Sequence, residues 1–245
     1  MIRLSVNVNK IATLRNSRGG RLPSVLEAVE VCVGAGAPGI TVHPRADERH
    51  IKPQDVRDIA GMLRVRRPKV EFNVEGDPRP DLIELVHEVR PDQCTLVPVA
   101  PGEITSHAGW RPGPASGGLA EVVADLRSRG VRVSVFIDAR LESVEWAASV
   151  RADRVELYTE PFAKAFEEGP DAGRRSFRAF VEAAELAAAR GLGVNAGHDL
   201  DLQNLTLFRT LPHLDEVSIG HAIVSRAVFV GLSTVVREYL DLLAR

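Results

Sequence analysis

Gly191-Leu-Gly-Val-Asn-Ala-Gly-His-Asp199 and, one helical run later, Glu216-Val-Ser-Ile-Gly-His-Ala-Ile223 are the stretches whose reading decides the fold. Each is a short β-rich run that ends in Gly-His. Strand–helix–strand alternation makes the strands parallel and puts their C-terminal ends on one face. Gly197-His198 and Gly220-His221 are therefore expected side by side. Glycine lets a bound group approach the main chain, and imidazole adds a donor or a titratable group. In a barrel of alternating strands and helices, the ends of the last two strands are the usual phosphate anchor. The pair points to a phosphorylated small molecule.

Working outward, strand-like runs are expected at 3–9, 39–44, 69–74, 93–98, 132–138 and 154–159, joined by 193–198 and 216–220. Each is followed by helical periodicity or a helix start such as Pro23-Ser24 or Pro53, and one long helix is expected from about Gly173 to Arg190. Eight βα units in 245 residues predict a parallel (β/α)8 TIM barrel, α/β in class, with residues 1–245 as a single domain. Two segments after strands, 99–118 and 160–173, are too long for simple connectors. They read either as lids or as extra short helices.

A hydrophobic content of 44% is ample for one core, and a formal net charge of -2 argues against a general nucleic-acid binder. Cys32 and Cys94, each in an apolar run, read as buried thiols in a reducing compartment. The chain enters a strand directly after Met1, and no stretch approaches a membrane span. A soluble cytoplasmic protein is expected.

Polar residues at strand ends carry the chemistry. Strand one brings Asn7, Asn9 and Lys10, and strand two leads into His43, Arg45 and His50. Glu71 and Glu156 lie inside strand runs, and period-two alternation turns both toward the barrel lumen. A buried carboxyl is driven toward its neutral form, which suits a general acid or base; the alternative for Glu71 is a structural ion pair with Lys69 or Arg154. Arginine beside histidine suits phosphate better than a divalent cation, and the histidines lack tight metal-ligand spacing, so no metal is expected. Arg45 is the favoured anion ligand of its loop, whereas Asp47, Glu48 and Arg49 read as a solvated charged face. Arg15, Arg18 and Arg21 beside Gly19-Gly20 suggest a second anion site. Two anion sites imply two phosphorylated substrates or one with two phosphates.

The runs Ser5-Val-Asn-Val, Ile11-Ala-Thr-Leu-Arg-Asn-Ser-Arg-Gly, Gly39-Ile-Thr-Val-His-Pro-Arg, Phe136-Ile-Asp-Ala, Val194-Asn-Ala-Gly-His and Ile219-Gly-His-Ala-Ile resemble, in order and over nearly the whole chain, the pyridoxine 5′-phosphate synthase family. That resemblance implies a phosphate-binding barrel with additional helices, assembled as a homo-octamer and using no cofactor. It implies condensation of 3-amino-2-oxopropyl phosphate with 1-deoxy-D-xylulose 5-phosphate to pyridoxine 5′-phosphate, phosphate and water. It assigns His43 and Glu71 as acid/base residues, His198 as a proton donor, and Glu156 as the carboxylate that stabilises a charged transition state. It places Asn7, Arg18, Asp199, Gly220 and His221 around the aminoketone phosphate, and Asn9, Lys10, Arg45, His50 and Thr105 around the deoxyxylulose phosphate. Asn9-Lys10, Tyr158-Thr-Glu and Asp199 depart from the pattern of many members, as do Val99 and Arg111. The competing readings are a one-phosphate barrel isomerase and a non-catalytic paralogue that binds a vitamin B6 phosphate or a sugar phosphate.

Overall fold

The computed structural model describes residues 1–66, 69–98, 108–113 and 116–244. Eight parallel strands close a barrel in chain order: β1 (Arg3–Asn7), β2 (Gly39–Val42), β3 (Glu71–Gly76), β4 (Gln93–Leu96), β5 (Arg132–Ile137), β6 (Arg154–Tyr158), β7 (Gly193–Gly197) and β8 (Leu214–Ile219). β8 returns to β1, pairing Val217 with Leu4 and Ile219 with Val6. Around the barrel lie α1 (Asn9–Asn16), α2 (Val25–Gly34), α3 (Pro53–Arg64), α4 (Pro80–Val89), α5 (Leu119–Ser128), α6 (Leu141–Ser149), α7 (Glu160–Glu168), α8 (Pro170–Ala189), α9 (Leu205–Phe208), α10 (His221–Val230) and α11 (Leu232–Ala244).

The elements follow from local chemistry. Ser24 caps α2, its hydroxyl accepting the Glu27 N–H at 3.2 Å. Pro53, Pro80, Pro161 and Pro170 all stand in first turns, where a missing N–H costs nothing. Of the two readings of residues 160–173, a lid or extra helices, the structure shows helices: Pro161 and Pro170 stand in the first turns of α7 and α8. Phe162 of α7 seals that corner, its ring 5.0 Å from Phe208 of α9 and 6.1 Å from Phe180 of α8.

Alternation along the strands sorts the side chains into two regions. Leu4, Val6, Ile40, Val42, Phe72, Val74, Leu96, Val133, Val135, Val155, Leu157, Val194, Val217 and Ile219 are buried in the hydrophobic layer. The alternate positions fill the lumen, and apart from Phe136 and Tyr158 near the strand ends they are mostly polar where most such barrels hold branched aliphatics. Ser5 and Thr41 share a hydrogen bond at 2.6 Å, Asn73 donates to Thr41 at 3.3 Å, and Thr95 donates to Asn73 at 3.1 Å. Asn195 of β7 reaches across to Gln93 of β4 at 3.4 Å. Near the N-terminal ends of the strands, Glu71 is held by Arg3 at 2.7 Å and by Arg132, and Arg3 also meets Glu216 at 3.2 Å. The lumen therefore carries charges and hydrogen bonds from one end to the other.

Candidate active site

At the C-terminal ends of the strands a cavity of about 350 Å³ opens. Two carboxyl groups form its floor. Glu75, the fifth residue of β3, is 6% exposed, and Glu156 of β6 is 3% exposed. Burial, with the neighbouring Glu216 carboxylate adding to it, pushes Glu75 up to about 8, against a smaller opposing effect from the Ser218 hydrogen bond. Burial first, then repulsion from Glu75 and Glu216, drives Glu156 well above the usual carboxylate range. Both groups are therefore held protonated near neutrality, and their titrations are linked. Gly197 makes the room: a Cβ there would stand 2.5 Å from Glu156 Oε1 and 3.1 Å from the Ser218 carbonyl oxygen.

One wall is built from the ends of β1 and β2. Asn7 Oδ1 accepts the Asn9 N–H at 3.0 Å, and Asn9 Oδ1 accepts the His43 N–H at 2.9 Å. Asn7 Nδ2 extends this chain to Glu75 at 3.5 Å. His43 and His50 face each other with centroids 5.9 Å apart. Burial, then the charges of His50 and Arg45, lowers His43 well below its ordinary value; burial and Arg45 take His50 down to about 4. The Ile51 N–H donates to His50 Nδ1 at 3.0 Å, which leaves the proton of the neutral ring on Nε2. His43 Nε2 and Glu156 Oε2 are buried without a hydrogen-bond partner among the described residues, a sign of groups kept for a ligand.

The rim is positive. Lys10, Arg45 and Arg49 line it, and the N-termini of α1 and α10 open there beside Asn9 and His221. Among the described residues no side chain caps α10, so its first-turn N–H groups and its positive dipole end are available to an anion. Gly220 precedes that helix because a Cβ would lie 2.8 Å from the Asn7 carbonyl oxygen. Opposite, His198 and Asp199 follow β7 in consecutive left-handed conformations, with φ of 79° and 55°.

Residues 4–245 match the family model described as "Pyridoxal phosphate biosynthesis protein PdxJ". The chain belongs to the PdxJ family. It is 50% identical over 244 residues to the pyridoxine 5′-phosphate synthase of Bacteroides thetaiotaomicron, covering 99% of this chain and 100% of that one. It is 49% identical over 245 residues to the same enzyme of Porphyromonas gingivalis, covering 100% of both. Among solved structures, phosphoribosyl anthranilate isomerase from Thermotoga maritima superimposes with a TM-score of 0.63 at 14% identity, over 100% of this chain and 99% of that one. A mutant tryptophan synthase α-subunit from Pyrococcus furiosus gives 0.64 at 10% identity, over 99% and 97%. At such identities the likeness speaks for the fold alone.

Of the residues singled out from sequence, Asn7, Asn9, Lys10, His43, Arg45, His50, Glu156, His198, Asp199, Gly220 and His221 all line this PdxJ-family cavity. Glu71 does not. It occupies the lumen, as its parity requires, but at the start of β3, where Arg3 and Arg132 bind it. Its partners are thus neither Lys69 nor Arg154. Glu75 has the same parity and lies four residues on in β3. At the rise of an extended strand that is about 13 Å closer to the C-terminal face. It is the β3 carboxyl that the cavity contains. A strand expected to end at Val74 stops one residue short of it, whereas β3 runs on to Gly76.

Arg18 is exposed and absent from the cavity lining. Arg15 binds Asp55 through two hydrogen bonds, at 2.5 and 2.9 Å, and so ties α1 to α3. Arg15, Arg18 and Arg21 therefore do not come together at this cavity, whose cationic lining residues are Lys10, Arg45 and Arg49. Arg49, read as solvated, lines the cavity rim while paired to Asp47 at 2.5 Å. Thr105 and Val99 lie outside the described residues, and Arg111 stands 3.8 Å from Asp138. Among the described residues no three His, Cys, Asp or Glu side chains converge on a metal position, and no helix is long and apolar enough to cross a membrane.

Proposed function

We propose that the chain condenses 3-amino-2-oxopropyl phosphate with 1-deoxy-D-xylulose 5-phosphate, releasing phosphate and water and forming pyridoxine 5′-phosphate, the product that names its relatives. The observation that carries this reading is the placement of two neutral carboxyls, Glu75 and Glu156, on the floor of a cavity whose rim holds Lys10, Arg45 and two helix N-termini.

Joining an amine to a ketone and then closing a ring requires the same operation repeatedly. A proton is removed from carbon or nitrogen and one is delivered to a departing oxygen. Glu75, protonated until about pH 8, delivers the proton to the leaving hydroxyl and recovers one from the next carbon acid. Neutral His43, oriented through Asn9, accepts a proton on its buried Nε2. Glu156 loses its proton most readily when a cationic imine forms beside it, which supplies the countercharge. His198, on the opposite wall, is the donor to the second departing oxygen. The α10 N-terminus with His221 and Gly220 holds one phosphate, and Lys10, Arg45 and His50 hold the other. Asn7 and Asp199 face the aminoketone end.

Exposed Val228 and Phe229 on α10, and exposed Leu14 on α1, a helix in contact with α10, support a homo-oligomer, and the chemistry suits a cytoplasmic enzyme. Supplying both substrates to the purified protein is expected to yield pyridoxine 5′-phosphate and inorganic phosphate in equal amounts. Folded protein that binds both substrates and forms neither product overturns the proposal in favour of a non-catalytic binder.

A further inference from the structure

His198 is the one proposed proton carrier whose backbone is left-handed, and its ring is flanked by two aromatic side chains that do not themselves line the cavity. Phe136 of β5 lies 5.0 Å away at an interplanar angle of 50°, and Tyr158 of β6 lies 5.4 Å away at 82°, edge to face. The two rings also pack on each other at 5.4 Å. Each is buried, at 0% and 3% exposure.

Tyr158 is itself tethered. Its hydroxyl donates to Glu160 in the first turn of α7, and Glu160 is paired with Lys164 one turn on, at 2.7 Å. Thr159, the residue between them, is fully buried. Its N–H donates to the Gly197 carbonyl oxygen at 3.1 Å, and its hydroxyl reaches the same oxygen at 2.7 Å and that of His198. From the other side, Asn204 Nδ2 donates to the Asp199 carbonyl oxygen at 2.9 Å. Tyr158, Thr159 and Glu160 thus grip both the main chain and the ring of the β7 turn.

We infer that Tyr158, seated on Phe136 and tethered to Glu160, is a positioning residue that fixes the direction of the His198 imidazole into the cavity. This rests on the proposed role of His198 as a proton donor. The geometry explains the chemistry of each part. The three ring centroids form a triangle with sides of 5.0, 5.4 and 5.4 Å, so the two aromatic rings bound one flank of the imidazole together and bar the staggered rotamers that would swing it to that side. The tether to Glu160 stops the phenol from swinging away with the turn. Burial and then Glu160 push the Tyr158 phenol above its ordinary value, so it stays a hydrogen-bond donor throughout the working range and is not itself a proton carrier.

The test pairs turnover with ring NMR of protein carrying 13C-labelled histidine, whose seven histidines are few enough to assign by substitution. His198 is expected to show ring signals displaced from those of a free imidazole by the ring currents of the two aromatic neighbours. In Tyr158→Leu that displacement shrinks and kcat falls on the order of 10- to 100-fold, the scale of a misplaced catalytic group, while KM for both substrates holds. Tyr158→Phe keeps the ring and restores most of the NMR displacement, with kcat between the two. Where Tyr158→Leu does not fold, Phe136→Leu carries the same comparison. An unchanged His198 signal, or a Tyr158→Leu enzyme with wild-type kcat, overturns the inference. A wild-type protein that makes no product defeats the proposed reaction instead, and the NMR comparison still decides whether Tyr158 orients the ring.

Discussion

Gly197→Ala tests the floor of the cavity with one methyl group. The added Cβ would stand 2.5 Å from Glu156 Oε1, so the carboxyl must retreat by about 0.9 Å to regain ordinary contact. The main chain has little room to yield, because the Ser218 carbonyl oxygen lies 3.1 Å from the same position and Gly197 pairs with both Tyr158 and Ser218. Overpacking of this kind costs about 1–3 kcal/mol. For a chain of this size that lowers Tm by roughly 2–4 °C per kcal/mol. The effect on turnover is larger, since displacing a reacting group by about 1 Å is worth on the order of 100-fold. Steady-state kcat at saturation in both substrates and calorimetric Tm measure the two effects. Gly34→Ala in α2, where nothing lies within 4 Å, is the control and keeps wild-type turnover. A Gly197→Ala enzyme with wild-type kcat refutes the claim that Glu156 acts from the position described.

Glu71→Gln is expected to cost stability and not catalysis. Arg132 loses its carboxylate, while Arg3 keeps Glu216. Losing the charge-assisted bonds costs about 2 kcal/mol. That corresponds to a Tm lower by roughly 4–8 °C, with kcat unchanged. The pH dependence of stability has two limbs of opposite origin. Glu75 and Glu216 have raised folded-state values, about 8 and about 7, so their contribution is full below about 4.5 and is lost as pH rises through 7 to 8. His43 and His50 have lowered values, so theirs is full above 6.5 and is lost on acidification through about 4 for His50. Tm is therefore expected to peak between these limbs. Glu75→Gln should flatten the alkaline one, and an unaltered alkaline slope in that variant would show that Glu75 is ionised in the folded protein.

The barrel is legible because most strands announce themselves twice, by aliphatics on one parity and by polar or charged residues on the other. Ser5, Thr41, Asn73, Thr95 and Ser134 mark the lumen as clearly as Val6, Val42 and Val74 mark the helix side. Alternation fixes the face of a residue but not its height along the strand. Parity therefore turns Glu71 inward correctly and still points to the wrong carboxyl, since Glu75 is the one in the cavity. The Gly76-Asp-Pro turn that follows is the available signal for extending β3. Pro161 and Pro170 fit either a lid or a helix start, and only the packing of Phe162 on Phe180 and Phe208 decides for helices. Arg15 gives no hint of its partner, because Asp55 lies forty residues away and meets it only through the packing of α1 on α3.

Pyridoxine 5′-phosphate formation by Glu75→Gln, measured beside Glu71→Gln under identical conditions, bears most directly on the central claim. A glutamine at position 75 keeps the shape of the side chain and removes the transferable proton. Turnover is expected to fall by at least about 100-fold, the lower range for a positioned general acid–base, while phosphate binding and folding are retained. Glu71→Gln keeps its rate. A Glu75→Gln enzyme that forms product at the wild-type rate, or a Glu71→Gln enzyme that is folded and inactive, would contradict the account.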